Sequence, residues 1–254
     1  MTDARPTPDV VVEPDADRLA RSVASALVAR LAAAQAVHGT ASVVLTGGGI
    51  GTAVLVEVAR LAAEPEAAVV DWTQVDVWWG DERWVPGDDP ERNEKGARDA
   101  LLDAVGVPTD RVHAIPASDA GHAEPEDAAA AYAAELAAAG DGGAPRIDVL
   151  MLGVGPEGHV ASIFPDSPAI TDDRTVFAVR DCPKPPPTRV SLGFATINAA
   201  EEVWLLVSGE GKAEAVARGL SGTESPVDLP AAGVHGTRAT RWLLDAAAAS
   251  QLQR

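Results

Sequence analysis

The chain has 254 residues, enough for one large α/β domain or two modest ones to bury a core without disulfides or metals. Its 20 Lys and Arg against 38 Asp and Glu give a formal charge of -18, which argues against nucleic acid or an anionic membrane as partner. The same field repels a small anionic substrate, so such a substrate would need a local convergence of Arg, Lys and backbone N–H groups.

Residues 1–8 read as a loose N-terminal tail. DVVVE (9–13) predicts a short strand, and Asp15 or Asp17 is placed to cap a long Ala-rich helix ending near His38 and Gly39. ASVVL (41–45) reads as a buried strand, 52–63 as a helix with apolar spacing at Val54, Val58 and Leu61, and VDVWW (75–79) as another strand. Helices are expected at about 93–105 and 126–139, strands at 147–152, 175–180, 189–193 and 202–208, a helix at about 211–219 and a last strand at 240–244. This alternation predicts an α/β fold, a doubly wound, mostly parallel sheet flanked by helices on both faces. One domain over 1–254 is expected, with the late elements able to form a minor lobe. Two stretches look irregular, 85–93 and 181–189. Prolines at 183, 185, 186 and 187 forbid helix and central strand in the second, so that a stiff polyproline-like segment would carry Lys184 or Arg189 to a fixed place. The single cysteine, Cys182, excludes an intrachain disulfide framework and fits a reducing cytoplasm. The N-terminus lacks a signal-peptide pattern, and no stretch is apolar for long enough to span a membrane.

Ligands of open α/β sheets bind beyond the C-terminal ends of the strands, and the glycine-rich loops fall there. LTGGGIGT (45–52) brings Thr46, Gly47, Gly48 and Gly49 to a strand-to-helix turn, where backbone N–H groups and a helix N-terminus favour an anion. Its glycine spacing fits neither a dinucleotide fingerprint nor a P-loop, which points to a sugar phosphate; a tight turn without a ligand is the alternative. In WWGDERWVP (78–86) the strand end brings Asp81, Glu82 and Arg83 to the rim. There Arg83 could grip a phosphate or carboxylate and Asp81 could orient it or accept from a sugar hydroxyl; a solvated charged turn is the bland alternative. In VLMLGVGPEGHVASIFP (149–165), His159 follows a glycine turn and is expected at the start of a helix, its ring facing a cleft. Glu157 either holds the imidazole in one tautomer, which makes the pair a candidate acid–base site, or only caps the turn. Gly209, Gly211 and Lys212 occupy a later strand-to-helix junction, and Lys212 at a helix start is unfavourable unless it meets an anion. No His pair has metalloprotease spacing, so no metal site is expected.

TGGG (46–49), GDERWVP (80–86), LGVGPEGHVASIFP (152–165), PKPPPTRVSL (183–192) and SGEGKAEAV (208–216) resemble, in order and spacing, the 6-phosphogluconolactonases. The resemblance runs from about Thr40 to Asp245, and Ser162-Ile163-Phe164-Pro165 favours the lactonases over the related amino-sugar-phosphate isomerase/deaminases. It implies hydrolysis of a phosphorylated sugar lactone in the cytoplasm, without metal or organic cofactor. His159 would be the general base, and Thr46 to Gly49, Arg83 and Lys212 would hold phosphate and ring, with Arg189 a weaker candidate. The family often has Asp where this chain has Glu157, and the extra methylene shifts the carboxylate by about 1.5 Å. Rival readings are an isomerase/deaminase with Asp81 as proton carrier and a non-catalytic sugar-phosphate-binding domain. Neither nucleic acid nor membrane is expected as partner, and monomer and dimer both remain open.

Overall fold

Strands covered on both faces need uninterrupted apolar runs, and this chain spaces such runs between helices. The computed structural model describes residues 7–64, 69–140 and 144–252. The expected tail over 1–8 thus falls mostly outside the described residues, while 7 and 8 are exposed and irregular. In chain order the elements are β1 (Asp9–Glu13), α1 (Ala16–His38), β2 (Ala41–Leu45), α2 (Gly48–Ala62), β3 (Val75–Trp79), β4 (Asp81–Arg83) and α3 (Asn93–Ala97). A π-helical turn over 98–102 carries α3 into α4 (Asp103–Val105). Then come α5 (Pro125–Ala139), β5 (Val149–Gly153), β6 (Val176–Val179), β7 (Arg189–Leu192), α6 (Phe194–Ile197), β8 (Glu202–Val207), α7 (Ala213–Leu220) and β9 (Ala239–Asp245).

Among the described residues, six strands form a wholly parallel sheet in the order β1-β9-β8-β5-β2-β3. From β2 the chain passes to β3 on one side and later to β5 on the other. The strand order therefore reverses between β2 and β5, and the crevice beyond their C-terminal ends is where this class of sheet binds ligands. β2 is buried along its whole length, as are the first four residues of β5. The long helix α1 packs against α2 and buries Leu19, Val23, Leu27 and Leu31, each four residues from the last. Asp15 accepts from the Arg18 backbone N–H at its start, and Gly39 closes it at φ 79°, a conformation that costs glycine little.

The structure differs from the sequence expectation at three places near the site. Asp81–Arg83 is a strand, and with β7 and β6 it forms a separate antiparallel sheet, ordered β4-β7-β6. Helix α2 starts at Gly48, four residues earlier than its apolar spacing indicates, because the glycines themselves form its first turn. No helix follows His159. Residues 154–165 instead fold back on themselves through bridges between Val154 and Val160 and between Val160 and Ile163.

Candidate active site

A cleft of about 570 Å³ opens at the crevice between β2 and β5. The 46–49 loop, Asp81, Arg83, His159, Arg189 and Lys212 all line it, so the sequence-predicted residues converge, apart from Glu157, which stands behind His159. The 46–49 loop is held in place from both sides. Thr46 Oγ1 accepts from the Gly153 N–H at 3.2 Å, tying the end of β2 to the end of β5. A Cβ at Gly47 would lie 1.9 Å from Asn93 Oδ1, so any side chain there would push the Asn93 amide out of its place beside the loop.

Strand alternation explains the Asp-Glu-Arg triplet. Asp81 and Arg83 point to one face, into the cleft, and Glu82 to the other, into the interior. The solvated-turn reading fails for Asp81 and Glu82, which are both buried. Glu82 caps α3, accepting from the backbone N–H groups of Asn93 (2.7 Å) and Glu94 (2.8 Å) as well as Arg83 (2.8 Å). Burial pushes its carboxyl up to about 7, against the nearby Arg92 charge and these backbone donors. Asp81 accepts from Ser162 Oγ at 2.6 Å, and its backbone carbonyl accepts from Asn93 Nδ2 at 2.9 Å. Arg83 donates to the Glu91 carbonyl, while its buried Nε has no hydrogen-bond partner among the described residues.

The loop after β5 sets His159. The Gly155 N–H donates to the His159 carbonyl (3.0 Å) and the Gly158 N–H to the Gly155 carbonyl (2.9 Å), closing a tight turn. Gly158 adopts φ 85°, which residues with a side chain rarely take, and a Cβ at Gly155 would lie 1.9 Å from His159 Nδ1, so a side chain at Gly155 would displace the imidazole. The imidazole stacks on Phe164 with centroids 4.4 Å apart. Glu157 Oε2 lies 3.3 Å from Nδ1, yet Nδ1 has no aligned hydrogen-bond partner among the described residues. Burial first, and then the Lys184 charge, lower the His159 pKa, with Glu157 and Asp81 opposing. Burial alone would raise Glu157; backbone and Lys184 hydrogen bonds, with the His159 and Lys184 charges, outweigh it and keep this carboxyl below its ordinary value.

The proline segment bends rather than running extended. Arg189 ties it down, donating to the carbonyls of Lys184 (3.2 Å), Pro185 (3.2 Å) and Pro186 (3.1 Å). It also stands opposite Arg83 across the β4–β7 ladder, 3.8 Å from Asp81. Lys184 Nζ reaches Glu157 at 2.9 Å. Lys212 sits at the N-terminus of α7, and its pKa is lowered by burial first and by Lys184 second. Among the described residues, four cations thus line the cleft, Arg83, Lys184, Arg189 and Lys212, against Asp17 and Asp81. This is the local positive centre that an anion needs in a chain of charge -18. Sequence reasoning missed the roles of Asn93 and Ser162, which hold Asp81, Asn93 also packing beside Gly47; the Asn at the end of the 85–93 stretch carried no signal by itself. Among the described residues, no three His, Cys, Asp or Glu side chains cluster as metal ligands, and no helix is long and apolar enough to cross a membrane.

Residues 14–242 match the family model for glucosamine-6-phosphate isomerases/6-phosphogluconolactonase. The chain belongs to that family. Within it the chain is of the 6-phosphogluconolactonase type, a hydrolase. It is 50% identical to the 6-phosphogluconolactonase of Streptomyces coelicolor, over 98% of this chain and 96% of that one. To its Mycobacterium tuberculosis counterpart it is 49% identical, over 96% and 98%. The structure of a 6-phosphogluconolactonase from Thermotoga maritima superposes with a TM-score of 0.80 at 26% identity, covering 94% of this chain and 99% of that one. A monomeric glucosamine-6-phosphate deaminase at 21% identity has TM-score 0.79 over 95% and 99%, a likeness of fold alone.

Proposed function

We propose that the chain hydrolyses 6-phospho-D-glucono-1,5-lactone to 6-phospho-D-gluconate in the cytoplasm, the second step of the oxidative pentose phosphate pathway, with no metal or organic cofactor. The observation that carries this reading is the position of His159, beyond the end of β5 in a cleft that gathers Arg83, Lys212 and the 46–49 loop. The names of the relatives at 49–50% identity support the substrate.

In this reading His159 is the general base, with Glu157 behind Nδ1 and Nε2 turned to the substrate. Water attacks the lactone carbonyl carbon while the imidazole takes its proton. The tetrahedral intermediate then breaks its bond to the ring oxygen, which recovers the proton from the imidazolium. One water is added across one C–O bond, and the new carboxyl group ionises in solution. The lowered pKa suits the first half of this cycle, because it keeps His159 neutral near pH 7. Thr46 to Gly49, Arg83 and Lys212 hold the phosphate and ring, Arg189 frames the rim, and Asp81 accepts from a sugar hydroxyl or orients Arg189.

The test follows consumption of freshly generated 6-phosphogluconolactone above its spontaneous hydrolysis, beside the unphosphorylated lactone. Strong preference for the phosphorylated lactone, unchanged by a chelator, is expected. Ammonia release from glucosamine 6-phosphate would replace this reading with the deaminase one, and binding without turnover would reduce the protein to a sugar-phosphate sensor.

A further inference from the structure

We propose that Lys184 is a positioning residue with two alternative partners, the Glu157 carboxylate in the free protein and the substrate's phosphate in the complex, so that anion capture releases Glu157 to hold His159. The inference rests on the lactonase reading for its substrate and on the geometry around Glu157 for everything else.

The Lys184 ammonium straddles both Glu157 oxygens, 2.9 Å from Oε1 and 3.0 Å from Oε2. The same Oε2 faces His159 Nδ1 at 3.3 Å, without an aligned hydrogen bond. One carboxylate thus stands between an ammonium and a neutral imidazole, and its aligned hydrogen bonds go to the lysine. Removing that lysine would return the carboxylate's full charge and an accepting lone pair to the imidazole.

Lys184 is built to move without its loop. Its backbone is fixed by Arg189, which itself leans on Asp81. Its side chain is 39% exposed and lines the cleft, so only side-chain torsions need change. Lys212 lines the same cleft, and the Lys184 charge contributes to lowering the Lys212 pKa. Two ammonium groups that repel one another invite an anion between them. A phosphate monoester carries about -1.5 to -2 charges at pH 7 and three acceptor oxygens, against the single charge of the part-exposed Glu157 carboxylate. The charged groups facing His159 are Glu157 from its own loop, Lys184 from the proline segment and Asp81 from β4; Lys212, from the turn before α7, acts on Glu157 and Lys184.

The experiment titrates the His159 ring by NMR in wild type, Lys184→Gln and Lys184→Arg, with and without saturating inorganic phosphate, and measures lactone kinetics on the same proteins. In the free wild type His159 is expected to titrate low, and phosphate to raise it. In Lys184→Gln it should start higher, and phosphate should move it far less, while Lys184→Arg behaves as wild type. The KM for the phosphorylated lactone should rise about 10-fold in Lys184→Gln, the equivalent of one charge-assisted contact, with kcat nearly unchanged. The acid limb of kcat/KM should move to higher pH. Identical His159 titrations in wild type and Lys184→Gln, with and without phosphate, would overturn the coupling even if the lactone is hydrolysed. A coupled His159 response in a protein that leaves the lactone intact would instead remove the substrate and keep the coupling.

Discussion

His113 and His159 are both largely buried beside the same parallel sheet, one flanking the edge strand β3 and the other beyond the end of β5, and their surroundings are opposite. His113 has a carboxylate on each ring nitrogen, Glu135 at 2.7 Å from Nδ1 and Asp76 at 3.3 Å from Nε2, and its ring lies flat on Trp78 with centroids 3.8 Å apart. Burial alone would lower its pKa, but those two carboxylates outweigh it and raise the value. Among the described residues His159 has one carboxylate within ion-pair distance of a ring nitrogen, Glu157, which is already held by Lys184, while Asp81 acts from farther off, and the His159 pKa is lowered. Residue type and burial are alike, so the partners decide: a histidine satisfied on both nitrogens is structural, and one left unsatisfied at a strand end is available for proton transfer.

Substitutions that break this contrast should differ most in activity. His159→Ala is expected to keep its fold and lose about 10²–10⁴-fold in kcat/KM, read as lactone consumption above background. Gly155→Ala removes no side chain of the proposed site but puts a methyl 1.9 Å from Nδ1, and the displaced imidazole should cost about 10²-fold in kcat. Arg83→Ala and Lys212→Ala should each raise KM for the phosphorylated lactone about 10-fold and leave the unphosphorylated lactone unaffected. If both left KM unchanged, the phosphate would lie elsewhere. His113→Ala should leave kcat/KM within about twofold and lower stability by about 1–3 kcal/mol in urea unfolding, because two carboxylates and a tryptophan face lose their partner.

The smallest effect is in pH dependence, where the two histidines have opposite sign. His113 has a folded pKa above its unfolded value, so its contribution to stability is full below the ordinary 6.5 and is lost as pH rises through the folded value. His159 has a folded pKa below its unfolded value, so it disfavours the fold increasingly as pH falls through 6.5. Urea midpoints near pH 5.5 and near pH 8 should therefore show His113→Ala losing more relative to wild type at the acid end. His159→Ala should gain there.

The same contrast shows what was legible in the sequence. Strands β2, β5 and β8 were readable because burial on both faces writes near-continuous apolar runs, and α1 because its caps and four-residue spacing are local signals. The glycine loops were readable because they interrupt those runs. β4 was not: three charged residues in a row read as solvent, and only pairing with β7, more than 100 residues later, buries two of them. Nor could a helix after His159 be excluded, since the bridges of Val160 to Val154 and Ile163 that replace it leave no local mark. His159 was separable from His113 by its position at a strand end, but the partners that distinguish them chemically come from distant elements, Lys184 for one and Asp76 and Glu135 for the other.

The central claim is that His159, kept neutral by burial and by Lys184, is the base. The most direct measurement is the pH dependence of kcat/KM for the phosphorylated lactone, corrected for spontaneous hydrolysis, set beside the NMR titration of the His159 ring. Activity should fall on the acid side at the pH where His159 titrates, below the ordinary imidazole range. A profile whose acid limb does not coincide with that titration, or persists in His159→Ala at wild-type height, would contradict it.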